Sequence, residues 1–345
     1  MHSRNRFIQP SLYRILDANL DRAREGLRII EEWCRFGLDN AHLTEECKTL
    51  RQELARWHTS ELRAARDTPG DAGTELTHPG EEQRTDIQQV LQANLCRVQE
   101  ALRVLEEYGK VYRSDMGIAC KQMRYRVYTL ESQLIRYEHR QKLQTAWLYL
   151  VTSPSEKLFA TVEAALQGGL TLVQHRDKEA DDEIRLATAD QLCQLCHRYG
   201  ALFIVNDRVD IALAVGADGV HLGQQDLPLP LARQLLGSQR IIGRSTKNPD
   251  EMHRAIQEGA DYIGVGPVYE TPTKAGRAAA GLDYVRYAAE HATIPWFAIG
   301  GIDTTNMPDV LAAGADRVAV VRAIMQAEEP TIATQQIVSQ IKGKI

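Results

Sequence analysis

ALFIVNDRVDIALAVGADGVHLG, residues 201–223, decides the fold. It opens on a continuous apolar run, ALFIVND (201–207), and closes on a second short run, GVHLG (219–223). Between them a helical stretch ends on Gly216-Ala217-Asp218, where glycine suits the left-handed residue that stops a helix. A strand with no polar alternation is one buried on both faces, as parallel sheets require, so the stretch reads as a βαβ unit.

The same unit recurs on either side. AWLYLVT (146–152), TLVQHR (171–176), RIIGRST (240–246), YIGVGPV (262–268), PWFAIGG (295–301) and RVAVVR (317–322) complete a set of eight runs. Each is followed by a stretch that reads as a helix, the last from Ala323 to about Ile341, and the GAD turn returns at 259–261 and 314–316. Eight βα units in about 200 residues predict a compact (β/α)8 TIM barrel over residues 146–345. Active sites of this fold form at the C-terminal ends of the strands. Those ends carry QHRDK (Gln174, His175, Arg176, Asp177, Lys178), Asn206-Asp207, Asp226, Ser245-Thr246, TPTK (Thr271, Pro272, Thr273, Lys274), Gly300-Gly301 and Val321-Arg322. Arg176, Lys178 and Lys274 are cations and Asp207 and Asp226 are carboxylates, a combination suited to a diphosphate held with one Mg2+ ion. The glycine pair and the loop after the eighth strand lie where such barrels grip a phosphate through backbone amides, and Thr271 and Thr273 could add hydroxyl donors. Each residue has a plainer reading: Asn206, Asp207, Ser245 or Thr246 as helix caps, Asp226 as a turn residue, Arg176 and Lys178 as solvated charges. All of those would have to hold together at one end of one barrel. Closure by the segment from Tyr269 to Ala280 is the expected means of excluding water.

Ahead of the barrel the period changes. Leu16, Leu20, Ala23, Leu27, Ile30 and Cys34 recur at spacings of four and three, one stripe of an amphipathic helix. ILDANLDRAREGLRIIEEW (15–33) returns as VLQANLCRVQEALRVLEEY (90–108), with ten of nineteen positions identical. A second helix is expected after each copy, over Glu45 to about Arg66 and about Asp115 to His139. Residues 1–140 therefore read as an all-α domain of two duplicated helical hairpins, a four-helix bundle. Arg28 with Glu31 and Glu32 suggests ion pairs on a solvated face, and the repeated Asn19 and Asn94 suggest a specific hydrogen bond at the dyad or in a pocket. The connection Arg66 to Glu82 is rich in glycine and proline. The duplication also offers a self-complementary face, so a homo-oligomer is a candidate assembly.

Composition narrows the function. Hydrophobic residues make up 43% and charged residues 25%, which excludes a disordered chain. A net charge of −5 gives no basic footprint for nucleic acid, and no apolar run approaches the roughly 18 residues that span a bilayer. The first residues lack the apolar stretch of an export signal, and six irregularly spaced cysteines suit reduced thiols, so a cytoplasmic protein with small-molecule partners is expected. CQLCH (193–197) matches a haem-attachment pattern but falls in the helix after the second strand, where Cys193 and Cys196 read as core thiols.

QHRDK, VND, GVHLGQQD, IIGRST, YIGVGPVYETPTK and AIGGI, in this order and with the last strand, resemble the thiamine-phosphate synthase family across Ala146 to Ile345. The helical part resembles the domain sometimes fused ahead of those enzymes, which has been proposed to act on a pyrimidine phosphate precursor. The resemblance implies a transferase that joins an aminopyrimidine methyl diphosphate to a thiazole phosphate, releasing diphosphate, with CO2 from a carboxylated thiazole. It implies that Gln174, His175, Arg176, Asp177, Lys178, Asn206, Ser245 and Lys274 bind the pyrimidine diphosphate. Arg176, Lys178, Lys274 and Ser245 would act in catalysis, Asp207 and Asp226 would hold one Mg2+ ion, and Thr271, Pro272, Thr273, Gly301, Val321 and Arg322 would bind the thiazole phosphate. Thr246-Lys247 departs from the small residue and His that follow the strand 5 Ser in many relatives, and Arg322 stands where many carry Ser. The competing reading is a thiazole tautomerase or another phosphate-binding barrel isomerase, with a regulatory, oligomerising or pyrimidine-phosphate-handling helical domain.

Overall fold

The computed structural model describes residues 5–72, 84, 86–270 and 279–343. Two compact units divide the chain, Met1–Ile135 and Arg136–Ile345.

In the first unit the helices are α1 (Asn5–Glu32), α2 (Ala41–Trp57), α3 (Ser60–Ala64), α4 (Ile87–Tyr112) and the part of α5 (Ser114–Thr145) up to Ile135, with a π turn at Trp33–Gly37. The stripe from Leu16 to Cys34 is fully buried, as its spacing requires. α1 packs chiefly along α4, and at Gly26 an added Cβ would lie 2.7 Å from Val98. The second helix expected over 45–66 is broken. α2 ends at Trp57, and Thr59 starts α3 by accepting from the Leu62 amide. His58 leaves helical geometry to reach the buried Asp17, Nε2 to Oδ1 at 2.6 Å.

The repeated polar residues correct one expectation. Glu31 and Glu106 are buried, not solvated. Each is held by an arginine one turn earlier, Arg28 at 3.0 Å or Arg103 at 3.2 Å, and by one from the following helix, Arg51 or Arg124, both at 2.8 Å. Burial alone would raise the Glu106 carboxyl, but Arg124 pulls it below its ordinary range. The two repeated asparagines are buried, and the side-chain amide of each bonds locally. Asn19 donates to the Ile15 carbonyl at 2.8 Å and Asn94 to the Val90 carbonyl at 2.7 Å, each within its own helix.

The second unit is a closed parallel barrel in the order β1 to β8. Its strands are β1 (Leu148–Val151), β2 (Leu172–His175), β3 (Leu202–Asn206), β4 (Gly219–Leu222), β5 (Ile241–Thr246), β6 (Tyr262–Val265), β7 (Trp296–Ile299) and β8 (Val318–Val320). Between them run α6 (Leu158–Gln167), α7 (Asp182–Arg198), α8 (Val209–Ala214), α9 (Leu229–Leu236), α10 (Pro249–Gln257), α11 (Gly281–His291) and α12 (Met307–Ala312). The single last helix expected is two, α13 (Arg322–Met325) and α14 (Pro330–Lys342), since Pro330 lacks the amide that would continue the first.

Strand alternation separates two cores. Val173, Val205, Val220, Ile242 and Ile263 face the helices. Tyr149, Leu172, Leu202, Ile204, Ile241, Tyr262, Phe297 and Ala319 fill the barrel, with Leu143 and Ala146 in the same cluster. Tyr149, Tyr262 and Phe297 meet edge to face at 5.2–5.8 Å between centroids. Gly243 makes room for that group, because a Cβ there would lie 2.1 Å from the Tyr262 ring.

The GAD turns gain a second purpose. Asp218 is buried, accepts from the Phe203 amide at 2.7 Å, and pairs with His139 of α5 at 3.2 Å and His197 of α7 at 3.0 Å. Cys193 and Cys196 are buried on α7, as core thiols. The hydrogen bond to Asp218, then that to Cys193, pushes His197 up to about 10. A group raised in the folded state stabilises it fully below its ordinary value of 6.5 and loses that contribution as pH climbs through about 10. Stability should therefore fall between those limits, and His197→Gln should flatten the fall in a denaturant series. His139→Ala leaves one buried Asp218 oxygen without its donor, at a cost of about 1–3 kcal/mol, and should lower the melting temperature. Unchanged melting of both variants across this range would contradict the arrangement.

Candidate active site

Alternation also builds the site. With every second residue inside, Gln174 stands one residue before the end of β2, Asn206 ends β3 and Ser245 nears the end of β5, all turned toward the barrel axis. They line a cavity of about 350 Å3 together with Arg176, Gly300, Gly301, Val321 and Arg322. Gly300 and Gly301 take φ of +110° and +68°. Only glycine fits comfortably there: a Cβ on Gly300 would lie 2.5 Å from Pro267. The cavity thus has an amide-and-arginine wall from the ends of β7 and β8, facing one of mixed side chains from β2, β3 and β5.

Asp207 follows Asn206 just past β3, with its amide bonded to the His221 carbonyl at 2.9 Å and an unusual φ of +62°. A non-glycine residue in that region is strained, although Asp tolerates it better than most. Its carboxylate meets Lys178 at 2.8 Å. Asp226 accepts from the Gly223 amide at 2.6 Å, and its carboxyl shares a hydrogen bond with that of Asp207. Burial, then the adjacent Asp226, pushes Asp207 up, with Lys178 opposing. Two oxygen-donor groups in contact, one of them raised by the other, form a donor set that fits a hard divalent cation.

The helix-cap readings fail on geometry. The N-cap of α8 is Arg208, with no side-chain cap bond, and α10 is capped by Asn248, which accepts from the Glu251 amide at 2.9 Å. Of QHRDK only Gln174 and Arg176 line the cavity; Lys178, like Asp207 and Asp226, lies outside that lining, and His175 and Asp177 are not brought to it either. His175 alternates away from the axis, is buried, and has an Nε2 with no hydrogen-bond partner. Asp177 spends its carboxylate on the amides of Glu179 and Ala180 at 3.0 and 3.1 Å, fixing the turn before α7. Thr271, Pro272, Thr273 and Lys274 lie outside the described residues, as does most of the closing segment.

Sequence reading missed the polar floor. Gln174 donates to the Tyr149 hydroxyl at 2.5 Å, which bonds Tyr262 at 2.7 Å; Tyr262 bonds His221 Nδ1 at 2.9 Å, and His221 Nε2 bonds Ser245 at 2.9 Å. The signal was the inward parity that Tyr149, His221 and Tyr262 share with Gln174 and Ser245, which a search confined to strand ends overlooks. Gln224 was missed as well. It donates to the Ser245 carbonyl at 2.6 Å and accepts from Arg254.

The family model described as thiamine monophosphate synthase matches residues 148–324, and that of the ThiD2 family matches residues 14–133. A thiamine-phosphate synthase of Nostoc sp. is 70% identical over 99% of this chain and 97% of its own length. One from Synechocystis sp. is 66% identical over 96% of each. A solved thiamine phosphate pyrophosphorylase from Pyrococcus furiosus, 38% identical, covers 60% of this chain and 98% of its own, with a TM-score of 0.54. No described helix is long and apolar enough to cross a membrane.

Burial lowers His175 to about 4 from an ordinary 6.5. The unfolded chain then takes up a proton that the folded chain refuses. Stability should fall as pH drops from 6.5 through about 4, by at most about 3 kcal/mol. His175→Leu should remove that part of the acid sensitivity while leaving turnover near normal. Equal acid slopes for the two proteins, or loss of turnover, would show that His175 acts otherwise.

Proposed function

The chain belongs to the thiamine-phosphate synthase family, and on that premise we propose how its own residues divide the reaction. The enzyme joins the aminopyrimidine methyl diphosphate to a thiazole phosphate in thiamine biosynthesis, giving thiamine phosphate and diphosphate. The C–O bond from the pyrimidine methylene to diphosphate breaks, its electron pair leaves with the diphosphate, and the thiazole nitrogen forms the new C–N bond. An amino-substituted ring delocalises the positive charge of the methylene, so no protein nucleophile is required. The chain's task is to bind two phosphorylated partners face to face and to stabilise a departing anion.

In this reading Gln174, Asn206 and Ser245 hold the pyrimidine ring at the floor, and Arg176 and Lys178 take the diphosphate above it. Gly301, Val321 and Arg322 receive the thiazole phosphate on the opposite wall. Lys274 is proposed as a further diphosphate cation, and Thr271, Pro272 and Thr273 as further phosphate contacts. Asp207 and Asp226 would hold one Mg2+ ion, which when bound neutralises charge developing on the leaving group. Lys178, paired with Asp207, can move between that carboxylate and a diphosphate oxygen. The observation that carries the reading is the pairing of Lys178 and Asp207 beside Asp226, one residue past Asn206, which lines the cavity together with Arg176. The six free cysteines suit a cytoplasmic setting. Residues 1–140 are read as a separate helical domain, with 146–345 sufficient for the chemistry.

Because Asp207 is raised in the folded state, its charge at neutral pH costs stability. Asp207→Asn should therefore melt at or above the temperature of the parent while turnover falls about 100-fold or more. Added Mg2+ should rescue the parent after chelation far better than it rescues the variant. Near-parental rates in the variant would remove the assigned role.

A further inference from the structure

Gln174 and Ser245, the two ends of the chain described above, face the cavity, as do Tyr149 and His221 between them, while Tyr262 does not line it. An amide or a hydroxyl in such a place can present either a donor or an acceptor to a ligand. What it presents is settled by the partner on its other side. Here those partners are linked across five strands, so the choices at the two ends are not independent.

The linkage can be followed proton by proton. Gln174 Nε2 donates to the Tyr149 oxygen, which turns the Tyr149 hydrogen toward the Tyr262 oxygen, its other neighbour. The Tyr262 hydrogen then points to His221 Nδ1. A neutral imidazole that accepts at Nδ1 carries its proton on Nε2, and so donates to the Ser245 oxygen. Both tyrosines are fully buried, and burial drives their hydroxyls above the ordinary range, so neither leaves the chain by ionising. The result is one polarity throughout. The Gln174 carbonyl is left as an acceptor toward the cavity, and the Ser245 hydroxyl hydrogen is left as a donor.

From this we infer that Tyr149, Tyr262 and His221 are positioning residues that lock the Gln174 amide with its oxygen toward the pyrimidine, so that the site accepts an amino-substituted ring and rejects its oxo counterpart. An exocyclic amino group donates to that oxygen. A ring carbonyl in the same place meets it oxygen to oxygen, and the amide cannot turn over without setting its NH2 aside from Tyr149 and reversing every bond behind it. A site built to match one polarity discriminates strongly because the wrong partner leaves buried polar groups unpaired. The inference rests on the proposed seating of the pyrimidine against Gln174.

The test uses the full chain with Tyr149→Phe and Tyr262→Phe, which delete a hydroxyl but keep the aromatic packing. The amino and oxo forms of the 5-hydroxymethyl-2-methylpyrimidine are compared as inhibitors, and KM is measured for each substrate. The expected result is a KM for the pyrimidine diphosphate raised at least tenfold and an amino-over-oxo preference reduced at least tenfold, with the KM for thiazole phosphate unchanged. An unchanged preference, or equal weakening of both substrates, overturns the inference. Gln174→Ala separates the two layers. If it leaves pyrimidine binding intact, the seating itself is wrong and the inference falls with it; if it weakens pyrimidine binding while the tyrosine variants do not, only the inference falls. Nitrogen NMR of the unaltered enzyme supplies a readout that needs no variant. The His221 proton should be found on Nε2, and a proton on Nδ1 overturns the polarity.

Discussion

A closed parallel barrel keeps bulk water from its interior, so any polar group its strands turn inward must be answered by another polar group or by a ligand. That constraint organises the second unit. Its lower interior is apolar and aromatic, filled by Leu172, Leu202, Tyr149, Tyr262 and Phe297. Higher up, hydroxyl, imidazole and amide groups satisfy one another in a single file that ends at the cavity. Above that file the outermost groups, Arg176 among them, face the opening. The gradient from dry core to charged rim suits the proposed seating of an aromatic ring at depth with phosphate groups toward the mouth.

The helical unit meets the same constraint by a different route. Its duplicated glutamates are buried, and each survives because one arginine from its own helix and one from the next surround it. A buried carboxylate with two guanidinium partners specifies the register of a hairpin more tightly than leucines do, since removing one partner strands a charge. The two copies are not equivalent, however. Asp17, Asp21, His58 and Arg66 form a bonded group in the first copy, where the second copy has Gln92 and Cys96 in place of the two aspartates. That group ties down the point where the chain leaves the first hairpin.

The barrel was legible because its signal is redundant. Eight apolar runs, three GAD turns and polar strand ends all point one way, and an error in one changes nothing. Gln174, Asn206 and Ser245 could be found because strand ends are privileged positions in this fold. His175 was misplaced because adjacency in sequence is opposition in a strand: a residue beside Gln174 must face the helices. Tyr149, His221 and Tyr262 were invisible for the converse reason. They act together only through a closure that brings the first strand within reach of the sixth, and no spacing along the chain records that. In the helical unit the repeat was plain, but whether Glu31 and Glu106 faced water or the core depended on Arg51 and Arg124, which lie on the next helix.

The central claim is that one cavity carries two separate anion grips on opposing walls. Calorimetric titration of the full chain tests it most directly, with Mg2+-diphosphate and thiazole phosphate as ligands, in the parent, Arg176→Ala and Arg322→Ala. The account predicts that Arg176→Ala loses diphosphate and keeps thiazole phosphate, and that Arg322→Ala does the reverse. Loss of both ligands together in either variant would contradict it.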